Sequence, residues 1–248
     1  MNAPPLFSII VCSLNGERVL PTCLTSLAAL RREPTHEIIV VDNGSTDATP
    51  RMAAAHPGVR LVQTGRNLGF AGGNNVGMLA ARGELLVLLN DDTEVPPDWL
   101  ARLAEAFERH PRAGAVGCRL LYPDRATIQH AGCRLLPNGN TEHIGYGEKD
   151  DERFHAGYAC DYVTGAALAL RRPALQQAGL LDPGFWPIYF EEVDLQQRLI
   201  AAGWTIWYEG TAWLVHHESQ SQGLASPRFV YRYTRNRMRY LALHGAPR

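Results

Sequence analysis

The sequence predicts an α/β fold: a single domain in which helices flank a mostly parallel central sheet. Short apolar runs alternate with helical patterns through the first 90 residues, as is typical of a Rossmann-like sheet. Polar residues follow the end of each run, where ligands bind in such sheets. With 248 residues, the chain is long enough to bury a substantial core within one domain.

The patterns also give the order of the elements. Strands are predicted over 6–13, 36–43, 59–64 and 84–90. The intervening helices are predicted around Leu20, Leu24 and Leu27, over 45–56 with Ser45 or Thr46 as N-cap, and over 72–83, closed by Gly83. The Gly-, Pro- and charge-rich stretch after Leu121 indicates a hairpin or mobile loop region. Apolar segments over 162–172, 205–210 and 212–217 and an acidic helix start at 191 complete the pattern.

Composition excludes several classes of protein. The formal net charge of −1 argues against a protein that coats nucleic acid. Five cysteines without a Cys-x-x-Cys pair indicate reduced thiols and a cytoplasmic location. No apolar stretch approaches 18 residues and the N-terminus lacks a charged region, so we expect neither a transmembrane span nor a signal peptide.

Polar clusters at four consecutive strand ends predict one lip of a ligand site. They comprise Ser13, Asn15 and Glu17; Asp42, Asn43 and Gly44; Arg66 and Asn67; and Asn90, Asp91 and Asp92. The adjacent carboxylates Asp91 and Asp92 repel each other unless a cation lies beside them. Mg²⁺ or Mn²⁺ would take one or two carboxylates and complete its shell with phosphate and water. A turn with an Asx hydrogen bond is the structural alternative.

Asp42 and the segment 65–75 each have a structural and a functional interpretation. Asp42 either caps the following helix or accepts hydrogen bonds from a ribose or a base edge. The segment 65–75 holds four glycines, which either form a tight loop or allow the backbone to approach a ligand closely.

Three acids, Glu191, Glu192 and Asp194, lie at a predicted helix N-terminus. There they could simply complement the helix dipole, with Asp194 pairing with Arg198 one turn later. However, the preceding loop is aromatic, and a carboxylate beside an apolar rim gains a raised pKa and can act as a general base.

The remaining candidates lie near the C-terminus. His216 and His217 follow an apolar strand and are either structural or ligands of a Mn²⁺-type ion. From Arg228 onward there are six arginines and no acid. This tail predicts either a solvated helix or a basic surface that faces phosphates on a ligand or on an anionic membrane.

Taken together, these segments resemble a family-2 glycosyltransferase of the GT-A fold, in particular the bacterial rhamnosyltransferase-like enzymes. The resemblance runs along nearly the whole chain. It rests on eight segments in the family's order: SIIVCSLNGE, IIVVDNGSTD, NLGFAGGNN, LLNDDTEV, TGAALALRR, FEEVDL, HHESQSQG and TRNRM.

The resemblance implies a role for each matching residue. Asp42 would contact the nucleoside and Asp91 the ribose side of the donor, Asp92 and His216 would bind Mg²⁺ or Mn²⁺, and Arg235 would hold the diphosphate. Further donor contacts are expected from Ser13, Asn15, Glu17, Asn43, Arg66, Asn67, Gly69 and Asn74. The general base matches Glu192, where the family usually has aspartate, so Glu191 and then Asp194 stay as alternatives.

The implied reaction is the inverting transfer of a sugar from a nucleotide-diphosphate sugar, for example dTDP-rhamnose. The acceptor would be a glycan or a lipid-linked molecule of cell-surface polysaccharide synthesis, at the inner face of the membrane. We expect a nucleotide-sugar half over 1–121, an acceptor and catalytic half over 122–226 and a basic C-terminal helix over 227–248. Two alternatives are a nucleotidyltransferase that makes the sugar donor and a non-catalytic nucleotide-binding module.

Overall fold

A ten-stranded sheet lies at the centre of the structure, a computed structural model that describes residues 3–218 and 226–245. The strands, in chain order, are β1 (Phe7–Ser13), β2 (His36–Asp42), β3 (Val59–Gln63), β4 (Leu85–Asn90), β5 (Thr93–Glu94), β6 (Ala113–Leu121), β7 (Ile128–His130), β8 (Cys133–Leu135), β9 (Thr141–His143), β10 (Tyr158–Ala159), β11 (Ala167–Arg171) and β12 (Thr205–His216). Strands β8 and β9 form a separate two-stranded hairpin.

The main path of the sheet runs β10, β12, β6, β11, β4, β1, β2, β3, while β5 pairs with β12 and β7 with β6. Neighbours within β3, β2, β1 and β4 are parallel, as are β6 and β12. Strand β11 is antiparallel to both β4 and β6. The four strands β1 to β4 and the pair β6 and β12 therefore point the same way, which confirms the mostly parallel sheet. The apolar pattern of 162–172 did not reveal that β11 is reversed.

The described residues form seven α-helices: α1 (Leu20–Ala28), α2 (Thr49–Ala55), α3 (Gly69–Ala80), α4 (Trp99–Arg109), α5 (Arg172–Ala178), α6 (Glu191–Ala201) and α7 (Pro227–His244). Two buried clusters lie on opposite faces of the sheet. Ile9 of β1 belongs to the cluster under α1 and α4, whereas its neighbour Ile10 belongs to the cluster with α3 and α6. Burial on both faces explains why the central strands are uninterrupted apolar runs.

Some predicted boundaries are wrong. Helix α2 begins at Thr49 with Ala48 as N-cap and no side-chain cap, because Ser45 and Thr46 are hydrogen-bonded to the loop after β1. Helix α3 begins three residues earlier than predicted and ends before Gly83. The apolar segments 205–210 and 212–217 lie on the single strand β12, interrupted by a register shift.

The predicted hairpin is confirmed, because the stretch after Leu121 contains the β8–β9 hairpin. All five cysteines lie in the described part of the chain and are free thiols. Among the described helices, none combines the length and the apolar character that a membrane span requires.

Candidate active site

The loops after the parallel strands are joined to one another at the carboxyl edge of the sheet. The Ser13 hydroxyl donates to Asp91 Oδ2, which links β1 to the end of β4. Asn15 Oδ1 accepts the Thr46 N–H at 2.8 Å, and Glu17 Oε2 accepts the Ala48 N–H at 3.1 Å. Asn15 and Glu17 therefore shape this lip by joining the loops after β1 and β2.

Asn43 joins the loop after β2 to the loop after β3. Its side chain accepts the Leu68 N–H at 3.0 Å and donates to the Gly69 carbonyl at 3.1 Å. Gly69 has a φ of +73°, and a Cβ there would lie 2.7 Å from the Trp186 ring and 2.8 Å from the Pro187 carbonyl. Glycine is therefore required at 69 both by the backbone conformation and by the close approach of a second loop.

The other predicted donor contacts divide into structural and exposed residues. Asp42 is buried and accepts the Ser45 N–H at 3.0 Å, so it closes an Asx turn rather than capping α2. The buried Asn74 donates to the Phe70 carbonyl within α3, and Asn67 accepts the Gly69 N–H at 2.8 Å. Arg66 is exposed beside them.

Asp92 and His216 meet as the resemblance implied. Asp92 Oδ1 lies 3.1 Å from His216 Nε2, and Asn90 Nδ2 lies 3.3 Å from the same ring nitrogen. On the other side of the ring, Nδ1 lies 2.6 Å from Gln129 Oε1. Because an amide oxygen only accepts, Nδ1 carries a proton, and Nε2 is the nitrogen that can act as a ligand.

This pair fits a divalent cation. With the proton on Nδ1, the Nε2 lone pair accepts from Asn90 Nδ2 and also lies beside Asp92 Oδ1, so a cation that takes the place of the Asn90 donor would bind both Nε2 and Oδ1. Adjacent ligands at about 2.1 Å from an octahedral ion are about 3 Å apart, close to the observed separation.

Burial raises the pKa of Asp91 to about 6, the charge of Asp92 adds to the rise, and the Ser13 hydrogen bond acts against it. His217 instead binds Glu94 at 2.5 Å.

A cavity of about 980 Å³ opens beside this pair. His216 and Asn90 line one side, and Glu191 and Glu192 line another. Its remaining walls come mainly from the segment 128–148 and from aromatic side chains: Phe70, Tyr162, Tyr189, Phe190, Phe229 and Tyr233. The predicted donor residues, all of them described, are absent from its lining.

Glu191 and Glu192 both have raised pKa values. Burial raises the pKa of Glu191 well above its ordinary value, and the neighbouring charge of Glu192 adds to this rise. Burial also raises the pKa of Glu192, while backbone N–H groups, including that of Gly165, act in the opposite direction. Within the described residues, each has a buried Oε2 without a hydrogen-bond partner. Glu191 is 2% exposed and Glu192 is only partly buried, so Glu192 is the more accessible to an acceptor.

Two buried amides fix these glutamates in place. Gln196 of α6 bonds both the N–H and the carbonyl of Val163 at 2.8 Å, which holds Glu192 against the turn at Gly165. Asn236 of α7 donates to the carbonyls of Phe185, Ile188 and Tyr189 at 2.7–3.0 Å. Asn236 thereby secures the loop that leads into α6, where Tyr189 and Phe190 have left-handed backbones.

Asp194 and Arg235 are also absent from the cavity lining. Asp194 is buried and pairs with Arg198 at 2.7 Å and with His244 of α7 at 2.7 Å. Asp194 therefore makes the ion pair with Arg198 that its structural interpretation predicted. Arg235 donates to the Trp186 carbonyl and to Asn236, so contact with a diphosphate would require its side chain to turn.

Sequence reasoning missed Gln129, Gln196 and Asn236, each of which supports a predicted residue. Asn236 lies within the TRNRM segment, so the resemblance pointed to its position but not to its role. Gln129 and Gln196 carried no signal, because a lone glutamine has no diagnostic spacing. Of the HHESQSQG segment, residues 219–223 lie outside the described residues.

The chain matches the family model Glycosyl transferase family 2 over residues 8–178. An N-acetylglucosaminyl-diphospho-decaprenol L-rhamnosyltransferase of Mycobacterium tuberculosis is 30% identical over 226 residues, 81% of this chain and 72% of that protein. The O-antigen biosynthesis protein RfbC of Myxococcus xanthus is 34% identical over 228 residues, 88% of this chain. An uncharacterized protein y4gI of Sinorhizobium fredii is 34% identical over 241 residues, 90% of this chain. The chain spans 18% of RfbC and 26% of y4gI.

Solved structures share the fold. GalNAc-T7 with UDP, GalNAc and Mn²⁺ matches with a TM-score of 0.75 at 16% identity, over 95% of this chain and 48% of that one. The mannosyltransferase PcManGT from Pyrobaculum calidifontis, in complex with GDP-Man and Mn²⁺, matches with a TM-score of 0.70 at 20% identity, over 99% and 66%. These matches confirm the GT-A fold, and because the family model covers more than half of the sequence, the chain belongs to glycosyl transferase family 2 and is a glycosyltransferase.

Proposed function

We propose that this glycosyltransferase moves a sugar, with dTDP-rhamnose as the first donor to test, from a nucleotide diphosphate to an acceptor hydroxyl with inversion. The proposal rests on one observation. His216, which faces Asp92, lines the same cavity as Glu191 and Glu192. The names of the relatives support the donor sugar, the lipid-linked acceptor and a place in polysaccharide synthesis.

Glu192 is the proposed general base. Its carboxylate accepts the proton of the acceptor hydroxyl while the hydroxyl oxygen attacks the anomeric carbon from the face opposite the diphosphate. The anomeric carbon–oxygen bond to the diphosphate breaks in the same displacement, so the configuration inverts and no covalent intermediate forms. The raised pKa of Glu192 makes it a stronger base than an exposed glutamate.

Asp92 and His216 are the proposed ligands of Mg²⁺ or Mn²⁺. Such an ion, when bound, stabilises the negative charge that develops on the departing diphosphate. Gln129 fixes the His216 ring with Nε2 toward Asp92. The Mn²⁺ named with both structural relatives supports this assignment.

The two halves of the chain divide the substrates between them. We place the nucleotide sugar on the lip formed by residues 1–121, with Asp42 toward the nucleoside, Asp91 toward the ribose and Arg66 exposed beside them. The acceptor lies in the cavity, most of whose lining comes from 122–226. Arg235 reaches the diphosphate from α7 only if it leaves the Trp186 carbonyl.

The outward face of α7 is a proposed contact with anionic lipid. Tyr231 and Met238 are seven residues apart on one face and are 66% and 56% exposed, and Arg228 lies on the same side. Arg237 contacts Asn140 and Arg239 pairs with Asp182, so fewer arginines face outward than the sequence suggested.

A donor panel tests the proposal. Purified protein is incubated with dTDP-, UDP- and GDP-sugars, with and without Mn²⁺, and transfer or donor hydrolysis is measured. We expect turnover with one nucleotide class and its loss in excess chelator. Turnover that survives chelation would remove the metal from the mechanism, and diphosphate release from a nucleoside triphosphate would instead support the nucleotidyltransferase alternative.

A further inference from the structure

A second group of metal-ligating atoms lies in the wall of the cavity. His130 Nδ1 is 3.3 Å from His143 Nδ1 and 3.4 Å from Cys133 Sγ. The three ligand atoms lie within 4.8 Å of one another, and His130 and Cys133 are fully buried. None of the three has a part in the proposed transfer reaction.

The backbone brings these residues together by specific pairing. Cys133 of β8 is the direct cross-strand partner of His143 of β9. His130 ends β7, and Gly132, with a φ of +85°, makes the turn that folds β8 back beside it. Three short strands therefore converge on one point through three side chains.

The distances fit a tetrahedral ion better than a set of hydrogen bonds. A tetrahedral Zn²⁺ with nitrogen ligands at about 2.0–2.1 Å and sulfur at about 2.3 Å separates two nitrogens by about 3.4 Å and nitrogen from sulfur by about 3.6 Å. Hydrogen bonding cannot satisfy both contacts of His130, because its Nδ1 holds either one proton or one lone pair in the ring plane.

We propose that His130 Nδ1, Cys133 Sγ and His143 Nδ1 bind one Zn²⁺ ion that fastens the β7–β9 wall of the cavity. On binding, the Cys133 thiol releases its proton to solvent and the thiolate bonds the ion beside two neutral imidazoles. Water completes the fourth position. The ligand set is softer than that of Asp92 and His216, so the two sites select different metals.

Cobalt substitution tests the proposal. Metal-free protein is titrated with Co²⁺, and the thiolate-to-cobalt charge-transfer absorption in the near ultraviolet is followed. We expect saturation at one sulfur-bound Co²⁺ per chain and loss of the absorption on adding one equivalent of Zn²⁺. Co²⁺ at Asp92 and His216 gives no such absorption because it has no sulfur ligand.

Variants identify the ligands. Cys133→Ser should lose the charge-transfer absorption entirely, and His143→Asn should shift or abolish it. Cys160→Ser is the matched control and should leave it unchanged, because Cys160 lies nearby but outside the cluster. If the unmodified protein gives no thiolate–cobalt absorption, the site does not exist, whether or not the variants fold. An absorption that persists in Cys133→Ser would equally overturn the assignment.

Discussion

Adjacent glutamates of α6 have different exposure, and this difference separates their roles. Glu192→Gln keeps the size of the side chain but removes its ability to accept a proton. General-base catalysis contributes about 10²–10⁴-fold, so kcat for transfer should fall by that factor while the Kd of the donor barely changes. Both quantities can be measured with the donor that the panel identifies.

The control for this experiment is Glu191→Gln, which removes the more deeply buried carboxylate. We expect it to retain most of the transfer rate. If Glu191→Gln abolishes transfer and Glu192→Gln spares it, the base is Glu191. Loss of donor binding in Glu192→Gln would instead indicate a binding role.

Glu191→Gln should also change the pH dependence of stability. The folded-state pKa of Glu191 is raised by burial and by Glu192, so its contribution to stability is fully present below the unfolded pKa and is lost as pH rises through the folded pKa. Glutamine does not titrate. The free energy of unfolding of the variant should therefore rise relative to that of the unmodified protein from about pH 4.5 upward, by at most about 1.4 kcal/mol per pH unit. The difference in Tm between the two proteins should grow accordingly. A Tm difference that stays constant between pH 4.5 and 8 would contradict the raised pKa.

At the level of elements, α7 acts on the active site through one amide. Asn236→Ala leaves three backbone carbonyls of the loop before α6 without their donor. Losing such buried partners costs about 1–3 kcal/mol, which lowers Tm by roughly 2–12 °C at this chain length. Because the loop positions Glu192, kcat should fall as well. Gln176→Ala, which truncates an exposed amide on α5, is the control and should change neither quantity.

The outward face of α7 gives a second prediction at this scale. Liposomes with anionic lipid should bind the protein at low salt and release it as salt rises, because each basic residue near the surface contributes about 1 kcal/mol. The double variant Tyr231→Ser and Met238→Ser should weaken flotation, whereas Leu79→Ser, equally exposed but on α3, should not. Binding that is the same with neutral lipid would exclude the electrostatic contact.

Apolar patterns predicted strands β1 to β4 and helices α1 to α3, though not all of their limits, and they left α4 and β6 unassigned. The central strands are buried on both faces, so their sequence pattern is strong. The start of α2 depends on whether Ser45 and Thr46 bond their own helix or the loop of Asn15, which is a tertiary choice that local sequence does not encode. The direction of β11 is likewise set by its neighbours in the sheet.

For the whole molecule, the site was predictable to the extent that it rests on residues with distinctive chemistry. Asp92 and His216 are 124 positions apart in the sequence, and the resemblance brought them together because paired acids and histidines are recognisable. Gln129 and Gln196 were not recognisable from the sequence, because their roles exist only after β7 and α6 have packed. Arg235 matched by position, but its contacts with Trp186 and Asn236 depend on how α7 lies against the loop.

Ligand binding should stabilise the whole fold if the donor lip and the metal pair act together. The lip links β1 to β4 through Ser13 and Asp91, and β12 delivers His216 to Asp92, so a nucleotide diphosphate with Mn²⁺ would bridge elements from both halves. At about 100 times its Kd, such a ligand stabilises the folded state by roughly 2.7 kcal/mol. This corresponds to a rise in Tm of roughly 5–10 °C.

Asp92→Asn distinguishes the contribution of the metal to this rise in Tm from the contribution of the nucleotide. It keeps the shape of the side chain but removes the charge, so the part of the Tm rise that requires Mn²⁺ should disappear while any metal-independent part stays. Asp98→Asn is the control, since Asp98 lies on α4's N-terminal side and pairs with the half-exposed Arg102 at 3.4 Å, and it should show the full rise. If no nucleotide diphosphate raises Tm in the unmodified protein, the donor lip is wrongly assigned. If Asp92→Asn keeps the Mn²⁺-dependent rise, the ion binds elsewhere.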